Sequence, residues 1–203
     1  MTMALTTIPT RNDTSPQPQE VTLLFTDVVG STALTLQLGD AAAHQLMERH
    51  NEIVREELHH WGGREIEMQG DGFLLAFETA SDGVGCAIAI QRAMDLYRAT
   101  HSEDLRGRIG VHTGNAIPVD DRYFGSAVIL CARIANAAGA DEVLVSASTA
   151  GLARVDTRRL ATPRFEALKG FESPQCVHPV RWQPLHTARR PRPQLAAAAM
   201  AAL

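Results

Sequence analysis

Val21-Thr22-Leu23-Leu24-Phe25 is an almost unbroken apolar run, long enough for a buried strand and too short for a helix. It ends in Thr26-Asp27, after which Gly30-Ser31-Thr32 breaks the strand and offers a cap for the next helix. Ala43, Leu46, Met47, Ile53, Val54 and Leu58 then recur at helical spacing until Gly62-Gly63 ends the pattern. Two short strands follow, around Glu65–Met68 and Phe73–Phe77, joined by the tight turn Gly70-Asp71-Gly72. A second helix puts Ala87, Ile90, Met94 and Tyr97 on one face, and a strand over Arg108–His112 is expected to stop at Thr113-Gly114. A third helix from about Ser126 to Ala137, a strand at Val143-Leu144-Val145 and a closing strand over Val177–Trp182 complete the pattern. The order strand–helix–strand–strand–helix–strand predicts an α+β, ferredoxin-like βαββαβ core with additional strands and helices.

The two ends lie outside this pattern. Residues 1–19 are rich in Thr, Pro, Asn and Gln and predict a flexible arm; residues 183–203, basic around Arg189–Arg192 and then alanine-rich, predict a solvated tail. The domain is therefore expected over residues 20–182. A net charge of −4 argues against broad nucleic-acid binding. Cys86, Cys131 and Cys176 form no metal-type or paired spacing, which predicts a reducing, cytoplasmic setting. No apolar run reaches the ~20 residues of a spanning helix, so no membrane partner is expected.

Candidate chemistry rests on two carboxylates. Asp27 ends a buried strand and Asp71 sits in a hairpin turn, both rigid places suited to fixing oxygens around Mg²⁺ or Mn²⁺. Val28-Val29-Gly30-Ser31-Thr32 leads into a helix start whose N–H groups suit a phosphate chain. Taken singly, each aspartate is better explained by a turn or cap role than by catalysis. His50, His59, His60 and His112 have no partner at ligand spacing and read as structural.

Phe25-Thr26-Asp27-Val28-Val29-Gly30-Ser31-Thr32 and Gly70-Asp71-Gly72-Phe73-Leu74-Leu75-Ala76-Phe77 resemble the two metal-binding segments of class III nucleotidyl cyclases. Arg108–Gly114, Tyr123–Gly125 with Arg133–Ala135, Glu142–Ser146 and Leu168-Lys169-Gly170-Phe171 resemble later segments of that family, in the same order. The resemblance implies a homodimer with shared sites that cyclises a nucleoside triphosphate with two metal ions and releases pyrophosphate. It places Asp27, Asp71 and the main chain of Val28 at the metals and Arg133 at the developing phosphate charge. It puts Phe25, Val29, Gly30, Ser31, Thr32 and Lys169 against the substrate.

Three positions depart from the family. Where adenylate cyclases have the lysine and aspartate that read adenine, this chain has Glu67 and Arg122, a reversal of donor and acceptor. Uracil, with carbonyl acceptors for Arg122 and an N3–H donor for Glu67, fits the pair better than guanine, adenine or cytosine. The chain also resembles the pyrimidine cyclases of bacterial anti-phage defence, whose cyclic UMP would be sensed by a separate effector. Ile129 stands where the family has a transition-state asparagine, which leaves open a degenerate, nucleotide-sensing module.

Overall fold

The structure is a computed structural model that describes residues 16–185. The expected arm, except its last four residues, and the basic tail lie outside the described residues. Strands β1 (Gln19–Val28), β2 (Arg64–Gln69), β3 (Gly72–Phe77) and β4 (Gly107–Val119) form the centre of one sheet. They lie in the order β2-β3-β1-β4, all antiparallel, which is the ferredoxin-like order expected from the element sequence. The sheet extends past β4 through β6 (Val143–Ser146), β8 (Gln175–Pro179) and β7 (Arg164–Glu166). A short β5 (Arg122–Phe124) folds back on the end of β4.

Helices α1 (Ser31–Leu38) and α2 (Asp40–His60) replace the single expected helix, because Gly39 turns the chain between them at φ 79°. Gly30, in the left-handed region, is the N-cap of α1, and no side chain caps that helix; the serine–threonine cap expected from the sequence does not form. β4 does not stop at Thr113-Gly114. Its first half pairs with β1 and β6, and its second half turns through Asp120 (φ 51°) into a hairpin with β5. The closing strand ends early, at Pro179, although Val180 still donates to the Val143 carbonyl at 2.8 Å and bridges Leu160.

Alternation along β1 sorts its side chains between two cores. Leu24 and Val28 pack with Phe73, Leu75 and Val111 under α2 and α3 (Ala80–Thr100), against Ile53, Ile90 and Met94. Val21 and Leu23 face the other way and pack with Leu74, Ala127 and Cys131 under α4 (Ser126–Ala137). Helix α4 closes on β4 at Gly110, where an added Cβ would stand 2.7 Å from the Ala135 Cα. That neighbour is backbone and cannot give way. Gly110→Ala is therefore expected to lower the urea midpoint by an amount equivalent to about 1–3 kcal/mol. An unchanged midpoint would mean that α4 does not seat here.

Behind α4 lies a buried polar network at the start of α5 (Ala147–Leu152). His112 Nδ1 meets Ser146 Oγ at 2.9 Å, Ser146 Oγ meets Thr149 Oγ1 at 3.0 Å, and Thr149 Oγ1 donates to Thr113 Oγ1 at 3.1 Å. Burial pulls the His112 pKa down from 6.5 to about 4. The folded state thus resists a proton that the unfolded chain accepts. Its contribution is intact above pH 6.5 and is lost as pH falls toward 4, by roughly 3 kcal/mol at most. In His112→Gln the acid limb of a stability–pH curve should be flatter; an identical limb would contradict this.

Candidate active site

β1 and β3 pair so that Thr26 lies opposite Phe73, which brings the end of β1 beside the β2–β3 turn. A Cβ on Gly72 would stand 3.3 Å from the Thr26 carbonyl and 3.8 Å from Asp27 Oδ1, so the turn passes directly beside the end of β1. Asp71 is the next residue back in that turn. Its Oδ2 is buried and accepts no hydrogen bond. A buried carboxylate oxygen with no donor marks a place for a cation. Both carboxylates also act on the buried imidazole of His50, whose pKa burial lowers and whose neighbours Asn51, Asp71 and Asp27 pull back up. The two predicted carboxylates therefore share one locality.

Two residues that sequence reading passed over shape it. Arg108 faces Asp27 directly across the β1–β4 ladder and donates to Oδ2 from Nε at 3.0 Å and Nη2 at 2.5 Å. His50, fully buried on α2 with Phe73 against its ring at 5.8 Å, leaves Nε2 without a partner. The only signal for Arg108 is its register opposite Asp27, which cannot be read before the pairing is known. His50 shows in the sequence merely as a polar residue on an apolar helical face.

Among the described residues no group of three His, Cys, Asp or Glu could hold a metal by itself. The donor set is a pair of hard carboxylates, which fits Mg²⁺ or Mn²⁺ completed by phosphate oxygens and water. Beside the pair, α1 begins with no side-chain cap, so its first N–H groups at Ser31, Thr32 and Ala33 are open to an anion.

The catalytic-domain model of adenylate and guanylate cyclases matches residues 14–171. The chain belongs to that family. An uncharacterised protein of Mycobacterium tuberculosis is 30% identical over 188 residues, covering 86% of this chain and 62% of that protein. The chain thus spans under two thirds of the length of that relative. The crystal structure of the adenylyl cyclase CyaB from P. aeruginosa superimposes with a TM-score of 0.69 at 25% identity, covering 85% of this chain and 97% of that one. The guanylyl cyclase Cya2 shares the fold, with a TM-score of 0.71 at 23% identity over 82% of this chain and 93% of that one.

In this cyclase domain Arg133 and Lys169 form no ion pair with the carboxylates among the described residues. Arg133 lies half-buried on α4, its Nε buried without an acceptor. Lys169 is exposed in a turn whose Leu168 packs on Ile134, the residue after Arg133. Ile129, one turn before Arg133, is 53% exposed. Glu67 on β2 and Arg122 on β5 are both exposed, and they form no ion pair with each other. Their strands do meet: Arg64 lies over the Tyr123 ring at 5.5 Å and donates to its hydroxyl at 3.2 Å. Phe25 is half-buried and packs on the α4 side of the sheet. No helix among the described residues is long and apolar enough to cross a membrane.

Arg108 holds the Asp27 oxygen that an incoming ion would need. Replacing it with glutamine removes a competing cation worth about 1 kcal/mol. The apparent Mn²⁺ affinity of Arg108→Gln, measured by calorimetry, is expected to rise about fivefold. A large loss of affinity would show instead that Arg108 is needed to hold Asp27 in place.

Proposed function

We propose that residues 20–182 form a metal-dependent nucleotidyl cyclase that works as a homodimer and prefers UTP, making 3′,5′-cyclic UMP and pyrophosphate. The observation that carries the reading is the pair Asp27 and Asp71 at one strand end, with an orphaned buried oxygen, next to an uncapped helix start. Asp27, Asp71 and the Val28 carbonyl would hold two ions, which when bound lower the charge of the triphosphate and activate the ribose hydroxyl. The N–H groups at Ser31 and Thr32, with Val29 and Gly30, bind and orient the phosphate chain. Phe25 walls the pocket on the sheet side. The ribose O3′ forms a bond to the α-phosphorus, the bond to the bridging oxygen breaks, and pyrophosphate leaves; the hydroxyl proton passes to solvent.

Arg133 and Lys169 complete the site from the second chain, since within one chain they form no ion pair with the carboxylates. Arg133 neutralises charge that builds in the transition state. Its buried, unpartnered Nε is a donor awaiting an acceptor. Met68, Ile117, Val119, Phe124 and Ile129, each more than a third exposed, supply apolar surface for pairing two such chains.

Base preference follows from Glu67 and Arg122, exposed and unpaired with each other and so free to meet a base. Arg122 donates to uracil carbonyls and Glu67 accepts from N3–H. Glu67 alone would also suit guanine. The wider reading is a cytoplasmic second-messenger synthase of antiviral defence, acting through a separate cyclic-nucleotide effector. A second reading, a nucleotide sensor without turnover, is favoured by Ile129, which has no donor for ribose or phosphate.

Purified protein with Mn²⁺ and each triphosphate in turn is expected to form product in the order UTP, GTP, ATP, CTP, read by chromatography. No cyclic product from any of them would leave the sensor. The double change Glu67→Lys and Arg122→Asp should move the kcat/KM ratio toward ATP by at least about tenfold, or about 1.4 kcal/mol. Asp27→Ala and Arg133→Ala chains, each inactive, should regain activity when mixed; failure to do so would refute a shared site.

A further inference from the structure

We propose that the outer face of α3 carries a second binding site, for a small amphiphilic anion: an alkyl or aryl chain ending in a carboxylate or phosphate. A cavity of about 580 Å³ lies there, between the end of α2, the length of α3 and residues 154–159. That volume suits a small molecule rather than a single ion. Its lining includes neither Asp27 nor Asp71.

The floor is made of small residues. Gly85 and Ala89 line it, and a Cβ on Gly85 would collide with the Trp61 ring, which therefore lies flat against the helix as one wall.

Three arginines line this apolar trough, and among the described residues none has a carboxylate partner. Among those residues Arg92 donates only to the Trp182 carbonyl, at 2.6 Å. Arg159 donates to the carbonyls of Arg181 and Gln183. The Arg154 guanidinium has no hydrogen-bond or ion-pair partner among the described residues, although its backbone N–H is held by Ser81 Oγ. Asp156, also in the lining, is already engaged by Arg158. Glu57 is the remaining carboxylate of the wall. Burial, and then the charge of Arg159, lower the pKa of Arg92, so two like charges press on each other. An anion between them relieves that repulsion, and arginine suits carboxylate and phosphate alike. The small-residue floor takes the chain that carries the anion.

The test is calorimetry on the full chain with decanoate, decyl phosphate and decyltrimethylammonium, all below micelle-forming concentration. Decanoate or decyl phosphate should bind saturably at one site per chain, the tighter one identifying the headgroup, and the cation at least tenfold more weakly. Arg154→Gln, which breaks no hydrogen bond or ion pair among the described residues, should weaken anion binding at least threefold without loss of circular-dichroism signal. Arg92→Gln combined with Arg154→Gln should weaken it at least tenfold, and Asp27→Asn should leave it unchanged. Absence of saturable binding, equal binding of the cation, or indifference to Arg154→Gln would overturn the proposal.

Discussion

The pairing of β1 with β3 is the constraint on which the site depends. Each strand is buried in the sheet between its neighbours, and a slip of one residue would exchange the two cores that their alternation defines. Leu24 and Leu75 would then leave the α2–α3 side, and Leu23 and Leu74 the α4 side. So the hydrophobic register, which has nothing to do with catalysis, decides that Asp27 ends beside the Gly70-Asp71-Gly72 turn. Glycine at 72 lets the turn pass close to the Thr26 carbonyl, and glycine at 70, with φ 65°, makes the turn that presents Asp71.

The same logic divides the other residues between two halves. The carboxylates and the uncapped start of α1 occupy one region of the chain. Arg133 and the Lys169 turn share another, built on α4 and its packing with Leu168. On the proposed function, one chain would carry the metal half of a site and a second chain would complete it. The family model and the solved structures place the chain among adenylate and guanylate cyclase catalytic domains. Glu67 and Arg122, to which the proposed function assigns the base preference, are both exposed, so exchanging them would leave the core undisturbed.

Much of the fold was legible because its signals are local. The apolar run at 21–25, the helical spacing from Ala43 to Leu58 and the Gly-Asp-Gly turn each specify one element, and the structure has them at those places. Helix α4 spans Ser126–Ala137, as read from the pattern. What the pattern could not show depends on partners distant in sequence. The extension of β4 to Val119 needs the hairpin with β5. The break at Gly39 was hidden because α1 buries none of its residues, so it has no apolar stripe to read. At the site, motif resemblance located the aspartates. It could not show that Arg108 occupies Asp27, or that His50 lies under both carboxylates, since those facts belong to cross-strand register and helix packing.

On the proposed function, Asp27 and Asp71 act jointly as ligands for divalent ions beneath a triphosphate. The direct measurement is an electron paramagnetic resonance titration with Mn²⁺ in the presence of a non-cyclisable UTP analogue, comparing the native chain with Asp27→Asn and Asp71→Asn. The native protein should take up two ions per site, and each single variant should lose that stoichiometry while remaining folded. Mn²⁺ uptake unchanged in both variants would contradict the account.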